Sequence, residues 1–451
     1  MEPQHARSIH LPFGPDTSVI RDSLYSRVPV NEHILAVMAT PEYLRLQRVK
    51  QLGWVFTVWP GATHTRYEHS LGVYHLARRA LESLLALSAL PTATDAELRV
   101  FLAAALLHDV GHYPYSHGIE ELGPPVEPHE RAGIRLIDGP NLSATLERWG
   151  VDPSEVAQLM RPVVGRDAPS GNARVYRALL SGALDVDKLD YLPRDARACN
   201  VPYGGVDVER LLDSLRVLDS PDGPTLALTE KGISPLHSLV LARQEMFDNV
   251  YWHHTNRACM AMLLRAVQDA LEAGALRAHE LTGQDDASLL VLLSSRTMPP
   301  TTRALIGSLS VRRVHKRALE LATRSGPVFE KVDALFYDPA GRKQLELRLC
   351  TAVAEATGLH VAAHELLLDI PKPEKWEVDV LVRYERPPVG MERVMSWQEA
   401  TGMTGADLAA YEAHQRRIRL VTSARLRDHV WELRDSTIIP TLLAASTQER
   451  G

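Results

Sequence analysis

The stretch Ala104-Ala105-Leu106-Leu107-His108-Asp109-Val110-Gly111-His112-Tyr113-Pro114-Tyr115-Ser116-His117 constrains this chain more than any other. An apolar helical run ends in adjacent His and Asp, and two further imidazoles follow before the next helical segment. A helix leaving a core does not require imidazoles there. Neutral His and ionised Asp are the mixed nitrogen and oxygen donors used by Mn, Fe, Zn and Mg sites. A His-Asp pair alone arises by chance in many chains, so the weight falls on what precedes and follows it.

At 451 residues the chain is long enough for one large domain and a smaller second one. Its 45% hydrophobic and 24% charged residues are those of an ordinary globular protein with a sizeable core. The net charge of -6 argues against a dedicated nucleic-acid binder, while local basic pockets for a phosphorylated small molecule stay open. Cys199, Cys259 and Cys350 lie far apart, which gives neither a disulfide framework nor a Cys-based zinc site. The N-terminus has no signal pattern and no apolar run reaches the roughly 20 residues that span a bilayer. A cytoplasmic protein without a membrane segment is expected.

Ser8 to Val30 reads as loops with a small strand pair, and Thr40-Pro41 as the cap and first residue of a helix that ends near Gly53. Trp54 to Trp59 reads as a turn or short strand. Leu71, Tyr74, Arg78, Leu81 and Leu85 give a helix over about Arg66 to Leu90, with His69 in its first turns. Thr94-Asp95 caps the next helix, which runs into His108-Asp109. His129-Glu130 heads another after a Pro-rich loop. Asp187, Tyr191 and Asp195 share one face of a further helix, beside Lys188, and Pro193 is expected to bend or loosen it. Ser234 to Leu271 predicts one long helix or two end to end. Beyond about Gly326, Val328–Ala334, Glu365–Ile370 and Val378–Tyr384 look strand-like. The expected fold is mainly α: N-terminal loops and short strands over 1–40, an all-helical catalytic core over 41–275, and a C-terminal helical and mixed α+β region over 276–451.

Four candidate ligands line up as His69, His108, Asp109 and Asp187, each near a helix end or on one helical face. Two imidazoles and two carboxylates leave positions open for water and a substrate oxygen, the basis of metal-assisted phosphoester hydrolysis. The motif H…HD…D, together with Ile20-Arg21-Asp22, the segment Pro60 to Gly72, Leu107 to His117 and Asp185 to Asp195, resembles the HD-domain deoxynucleoside triphosphate triphosphohydrolases. The resemblance covers most of Ile20 to Ala270.

The resemblance implies a helical HD core and a divalent metal (Mn, Mg, Fe, Zn or Ni) on His69, His108, Asp109 and Asp187. It implies a dNTP substrate, with Arg66, His112, His117 and Lys188 on the triphosphate and His129-Glu130 as a catalytic pair near the α-phosphate. It further implies that Tyr191 and Asp195 hold the deoxyribose, and that Gln51 and Leu52 exclude a 2′-hydroxyl. A homo-oligomer (dimer or tetramer) is also implied. The family's guanine-nucleotide activation site uses an Asp, a Gln and an Arg where this chain has Ala39, Leu44 and Gln47, so that site is not expected, although another nucleotide effector is allowed.

Simpler roles compete with these. His129-Glu130 fits a helix start, and Asp195 fits a helix-end partner of Arg194 or Arg197. Asp185 reads as an N-cap and Asp190 as part of a solvated face. Tyr251, Trp252, His253 and His254 have core spacing, leaving Arg257 as the phosphate contact of that cluster. Arg312-Arg313 and Lys316-Arg317 read as a solvated face. Two other functions fit the same residues: another HD phosphohydrolase activity (a nucleoside monophosphate phosphatase or single-strand nuclease), or a nucleotide-sensing protein with a structural HD site.

Overall fold

The computed structural model describes residues 15–162, 170–221, 223–373 and 378–444. Among these the chain is mainly helical, with three small sheets. The centre is the Asp95–Leu107 helix, closed at its start by a capping box between Thr94 and Glu97. It is buried on every side from Val100 to Leu107, as a helix must be when its apolar residues run all round it. The Arg66–Ala86 and Pro153–Met160 helices pack on it, and the Val186–Cys199 helix packs on the former. The C-terminal ends of one helix and the N-terminal turns of two others thus meet in one interior region.

Strands β1 (Ser18–Ile20) and β2 (Val28–Val30) form the expected N-terminal pair. Within the span read as all-helical, β3 (Leu215–Ser220) and β4 (Gly223–Thr229) form an antiparallel hairpin. The Ser220-Pro221-Asp222-Gly223 turn signal was in the sequence, and Gly223 takes the positive φ of 108° that such turns ask of glycine. β5 (Lys316–Ala322), β6 (Leu366–Asp369) and β9 (Arg417–Thr422) make a second sheet in the order β5-β9-β6, all antiparallel. β7 (Leu381–Arg383) lies parallel to β4, and β8 (Val394–Ser396) completes that four-stranded sheet.

Val328–Ala334 is a helix over Pro327–Asp333, not a strand. Pro327 opens it, and Val328, Phe329 and Val332 fall on one buried helical face. Trp54 to Thr57 form a short 3₁₀ helix, Gly53–Thr57, and Val58 and Trp59 follow it. The Val186–Cys199 helix continues through Pro193, so no break occurs there. The long pattern from Ser234 is two helices, Ile233–Met246 and His254–Glu272, joined by a π turn over Phe247–Tyr251. No helix among the described residues is long and apolar enough to cross a membrane.

Two backbone features seat the segment that follows His108-Asp109. Buried Arg45 donates to Val110 O at 2.8 Å and to Gln284 O at 3.0 Å. Gly111 lies against the first turn of the His129–Ile137 helix, where a Cβ would strike the backbone of His129 and Gly133. Gly111→Ala is expected to push that helix away and to cost about 1–3 kcal/mol by overpacking, measured as a lower urea midpoint.

Candidate metal centre

His69, His108 and Asp187 bring one ligand atom each to within 4.8 Å of one another. His69 Nε2 lies 3.0 Å from Asp187 Oδ1 and 3.3 Å from His108 Nε2. Asp109 closes the group, with Oδ2 3.6 Å from His69 Nε2 and Oδ1 3.4 Å from His108 Nε2. Helix caps set these positions: Thr65 and Glu68 start the His69 helix, and Asp185 accepts from Lys188 N to start the Asp187 helix.

The donor chemistry fits a divalent metal. His69 Nδ1 donates to Asp190 Oδ2 at 2.8 Å, and His108 Nδ1 donates to Ala105 O at 2.9 Å. A carboxylate and a carbonyl only accept, so both rings commit Nδ1 as donor and, when neutral, turn a bare Nε2 to the same point. Two lone pairs aimed at each other across 3.3 Å, with two carboxylates beside them, call for a cation.

Asp190, read from sequence as part of a solvated face, is fully buried. It is held by Arg194, which donates from Nε and Nη2 at 2.8 and 2.9 Å, and by the Tyr25 hydroxyl at 2.8 Å. A helix-only reading could not register the N-terminal strands that cover this face. Asp185 is the N-cap expected.

Asp109 also accepts from Arg66, whose Nε donates to Ser116 Oγ at 3.2 Å. Burial opposes charge on Asp109, yet Arg66, His108 and His112 hold its carboxyl well below the usual range. Ser116 and Tyr115 both take left-handed backbone, at φ 66° and 59°. They are held there by Tyr115 N on Asp286 Oδ1 at 2.9 Å and by Ser116 Oγ donating to the carbonyls of Lys50 and Gln51.

A second group adjoins the first: His112, His117, Glu120 and His129. His112 Nε2 lies 3.0 Å from Asp109 Oδ1, and its ring stacks on His129 at 3.7 Å. Glu120 Oε1 accepts from His129 Nδ1 at 3.0 Å and lies 3.7 Å from His117 Nδ1. Burial and the nearby Arg66 push the His112 imidazole well below its ordinary pKa, so it stays neutral. Burial also opposes charge on His129, but Glu120 outweighs it and raises that pKa. Glu120 was not singled out from sequence; its position three residues after His117 was the available signal.

The remaining candidates are distributed as follows. Lys188 Nζ donates to Asp185 Oδ2 at 2.5 Å and Gly182 O at 3.0 Å. Glu130 lies 3.6 Å from His129 Nδ1. Tyr191 stands between the rings of His69 and Tyr251, 6.5 Å from each. Asp195 pairs with neither Arg194 nor Arg197 among the described contacts; it meets His64 Nε2 and the Tyr251 hydroxyl, each at 2.7 Å. His64 was not picked from sequence and Tyr251 was read as core; the π turn aims Tyr251 here. Gln51 is buried, and its Oε1 has no partner among the described residues; Leu52 packs against the main core. Arg257 is taken up by Glu121 (2.9 and 3.1 Å) and Asp369 (2.8 Å), and among the described residues it forms no ion pair with either His group.

A mainly helical protein with a buried His and carboxylate centre at converging helix ends is the class that this fold and site define. The comparisons agree: the HD domain family model matches residues 66–195, and the HD associated region model matches residues 206–411. The chain thus carries an HD domain followed by an HD associated region. It is 31% identical over 275 residues to an uncharacterized protein of Methanocaldococcus jannaschii, covering 61% of this chain and 54% of that one. The Deoxynucleoside triphosphate triphosphohydrolase SAMHD1 homolog of Dictyostelium discoideum is 28% identical over 265 residues, with 56% and 49% covered. The chain thus spans about half the length of these relatives. A hypothetical protein from Aquifex aeolicus has the same fold, with a TM-score of 0.67 at 24% identity over 92% of this chain and 99% of that one.

A proton and a metal compete for His69 Nε2. Burial opposes the imidazolium, but Asp187 and Asp190 outweigh it and push the pKa up to about 10. Metal binding must therefore release a proton below that pH, so apparent affinity rises as pH rises. Calorimetric titration with Mn²⁺ is expected to show affinity growing about tenfold per unit between pH 6.5 and 8.5, with about one proton released. An affinity that does not change over this range would contradict the assignment of His69.

Proposed function

We propose that this chain is a metal-dependent phosphohydrolase that cleaves deoxynucleoside triphosphates to deoxynucleoside and inorganic triphosphate. The observation that carries the reading is the junction of the two groups: Asp109 touches His69 and His108 on one side and His112 on the other. His69, His108, Asp109 and Asp187 would hold the metal, which when bound polarises a phosphoryl oxygen and lowers the pKa of water.

The second group supplies proton chemistry. His129, whose pKa Glu120 raises, would donate to the deoxynucleoside 5′ oxygen as water adds to the α-phosphorus and the bond to that oxygen breaks. Neutral His112 stays available as an acceptor beside it. Arg66, His117 and Lys188 would meet the triphosphate; about four negative charges suit such donors. Arg66 and Lys188 have carboxylate partners of their own, Asp109 and Asp185, so substrate phosphate would share or exchange those contacts. Asp195, with Tyr191, would take the 3′-hydroxyl, and His64 and Tyr251 would fix its carboxylate. Gln51 and Leu52 would line the 2′ side. The match to proteins named deoxynucleoside triphosphate triphosphohydrolase supports this substrate class.

The test is product analysis with the four dNTPs and a matching rNTP, with Mn²⁺ and Mg²⁺, for wild type and Asp109→Ala. Deoxynucleoside and triphosphate from dNTPs alone are expected, with turnover falling at least about a hundredfold in the variant. Monophosphate, free phosphate or equal use of the rNTP would overturn the substrate class. Turnover only after a second nucleotide is added would reveal an effector.

A further inference from the structure

The Asp190 carboxylate lies outside the ligand set, yet it is tied to a chain of buried charges that leads away from the metal centre. Arg194 grips both of its oxygens, Nε on Oδ2 and Nη2 on Oδ1. The third arm of the same guanidinium, Nη1, donates to Asp22 Oδ2 at 2.9 Å. Asp22 lies in the turn between β1 and β2, where its Oδ1 accepts from Leu24 N at 2.7 Å and Tyr25 N at 2.8 Å. Tyr25 returns to Asp190 through its hydroxyl and lies under the Arg194 guanidinium, 5.6 Å from ring to Cζ. The side chains of His69, Asp190, Arg194 and Asp22 are each 2% exposed or less. On the helix opposite, Gly72 makes room: a Cβ there would collide with Asp190 and Arg194.

A carboxylate free to turn about its last bond would present either oxygen, or neither, to His69 Nδ1. The planar fork of Arg194 fixes both oxygens at once, which an ammonium cannot do. The fork is itself fixed because its remaining arm is taken by Asp22. The orientation of His69 Nε2 thus depends on a residue 47 positions earlier in the chain, in a different element.

We infer that Asp22, Arg194 and Asp190 form a positioning array that sets the metal affinity of His69, making the β1–β2 hairpin a working part of the metal centre. The inference rests on His69 being a metal ligand. None of the three is a catalytic residue; they act through the imidazole.

The experiment is metal binding by the full chain, stripped with chelator and titrated with Mn²⁺ or Co²⁺ by calorimetry. The urea midpoint of each stripped protein is recorded alongside. Outer-shell partners of metal-bound His are worth about 10–100-fold in affinity. Asp190→Asn and Arg194→Lys are expected within that range, the lysine variant keeping the buried charge but losing the fork. Asp22→Asn, one contact further from the imidazole, is expected to weaken binding by about threefold to tenfold, less than the direct outer-shell effect. A purely structural array would lower the urea midpoint and leave the dissociation constant of the folded protein unchanged, which would overturn the inference. Should Asp22→Asn not fold, Arg194→Lys decides the matter in the same way. Wild type that binds no metal, or binds equally well as His69→Ala, would overturn the metal centre itself, a result distinct from tight wild-type binding with indifferent Asp22 and Arg194 variants.

Discussion

Ionised groups taken out of water must be neutralised by one another, and this requirement organises the interior of the protein. Leaving one member of a buried ion pair alone costs about 3–5 kcal/mol. Here Arg66 answers Asp109, and Arg194 answers both Asp190 and Asp22. Asp187 has no arginine partner among the described residues and keeps a third of its side chain in solvent. The acids are thus unequal: three are locked by guanidinium groups, and Asp187, the partly exposed one, has His69 and His108 beside it instead. A cation entering from that side meets the carboxylate least compensated from within.

The same inequality separates the histidines. His112 and His129 stack on each other, yet Arg66 lies near the first and Glu120 binds the second, so their proton affinities are pushed in opposite directions. Two imidazoles in contact whose pKa values are pushed apart are the arrangement expected where one group accepts a proton and another supplies it. Glu120 therefore sets proton affinity here without being marked in the sequence, and Arg66, expected there only as a triphosphate contact, does so as well.

The four candidate ligands were legible because each stands near a helix end that caps, glycine and proline mark in the sequence. What escaped needed knowledge of a second element. Asp190 lies three residues from Asp187, off the stripe of Asp187, Tyr191 and Asp195, and a charged residue off a functional stripe reads as solvated until something covers it; the β1–β2 turn does so through Asp22 and Tyr25. Arg257 looked like a phosphate contact because its two acidic partners come from distant segments that sequence spacing does not connect. Val328–Ala334 was misread because Val, Phe and Val at that spacing satisfy both a strand and a helix, and Pro327 decides for the helix. The β3–β4 hairpin carries turn residues, but it sits between strongly helical segments whose periodicity masks two short strands.

The fate of Arg257 bears on what the C-terminal region does. Glu120 and Glu121 are adjacent: one reaches the His group, the other is gripped by both outer nitrogens of Arg257. Arg257 also binds Asp369 at the end of β6, and Asp369 meets Arg419 of β9. The short segment carrying Glu120 is therefore fastened to the β5-β9-β6 sheet through largely buried charges, which are costly to uncouple. A displacement of that sheet would move Glu121, and with it the carboxylate that sets the proton affinity of His129. In this architecture the C-terminal sheet is part of the frame that holds Glu120 and His129 in place, in the way that the N-terminal hairpin frames His69.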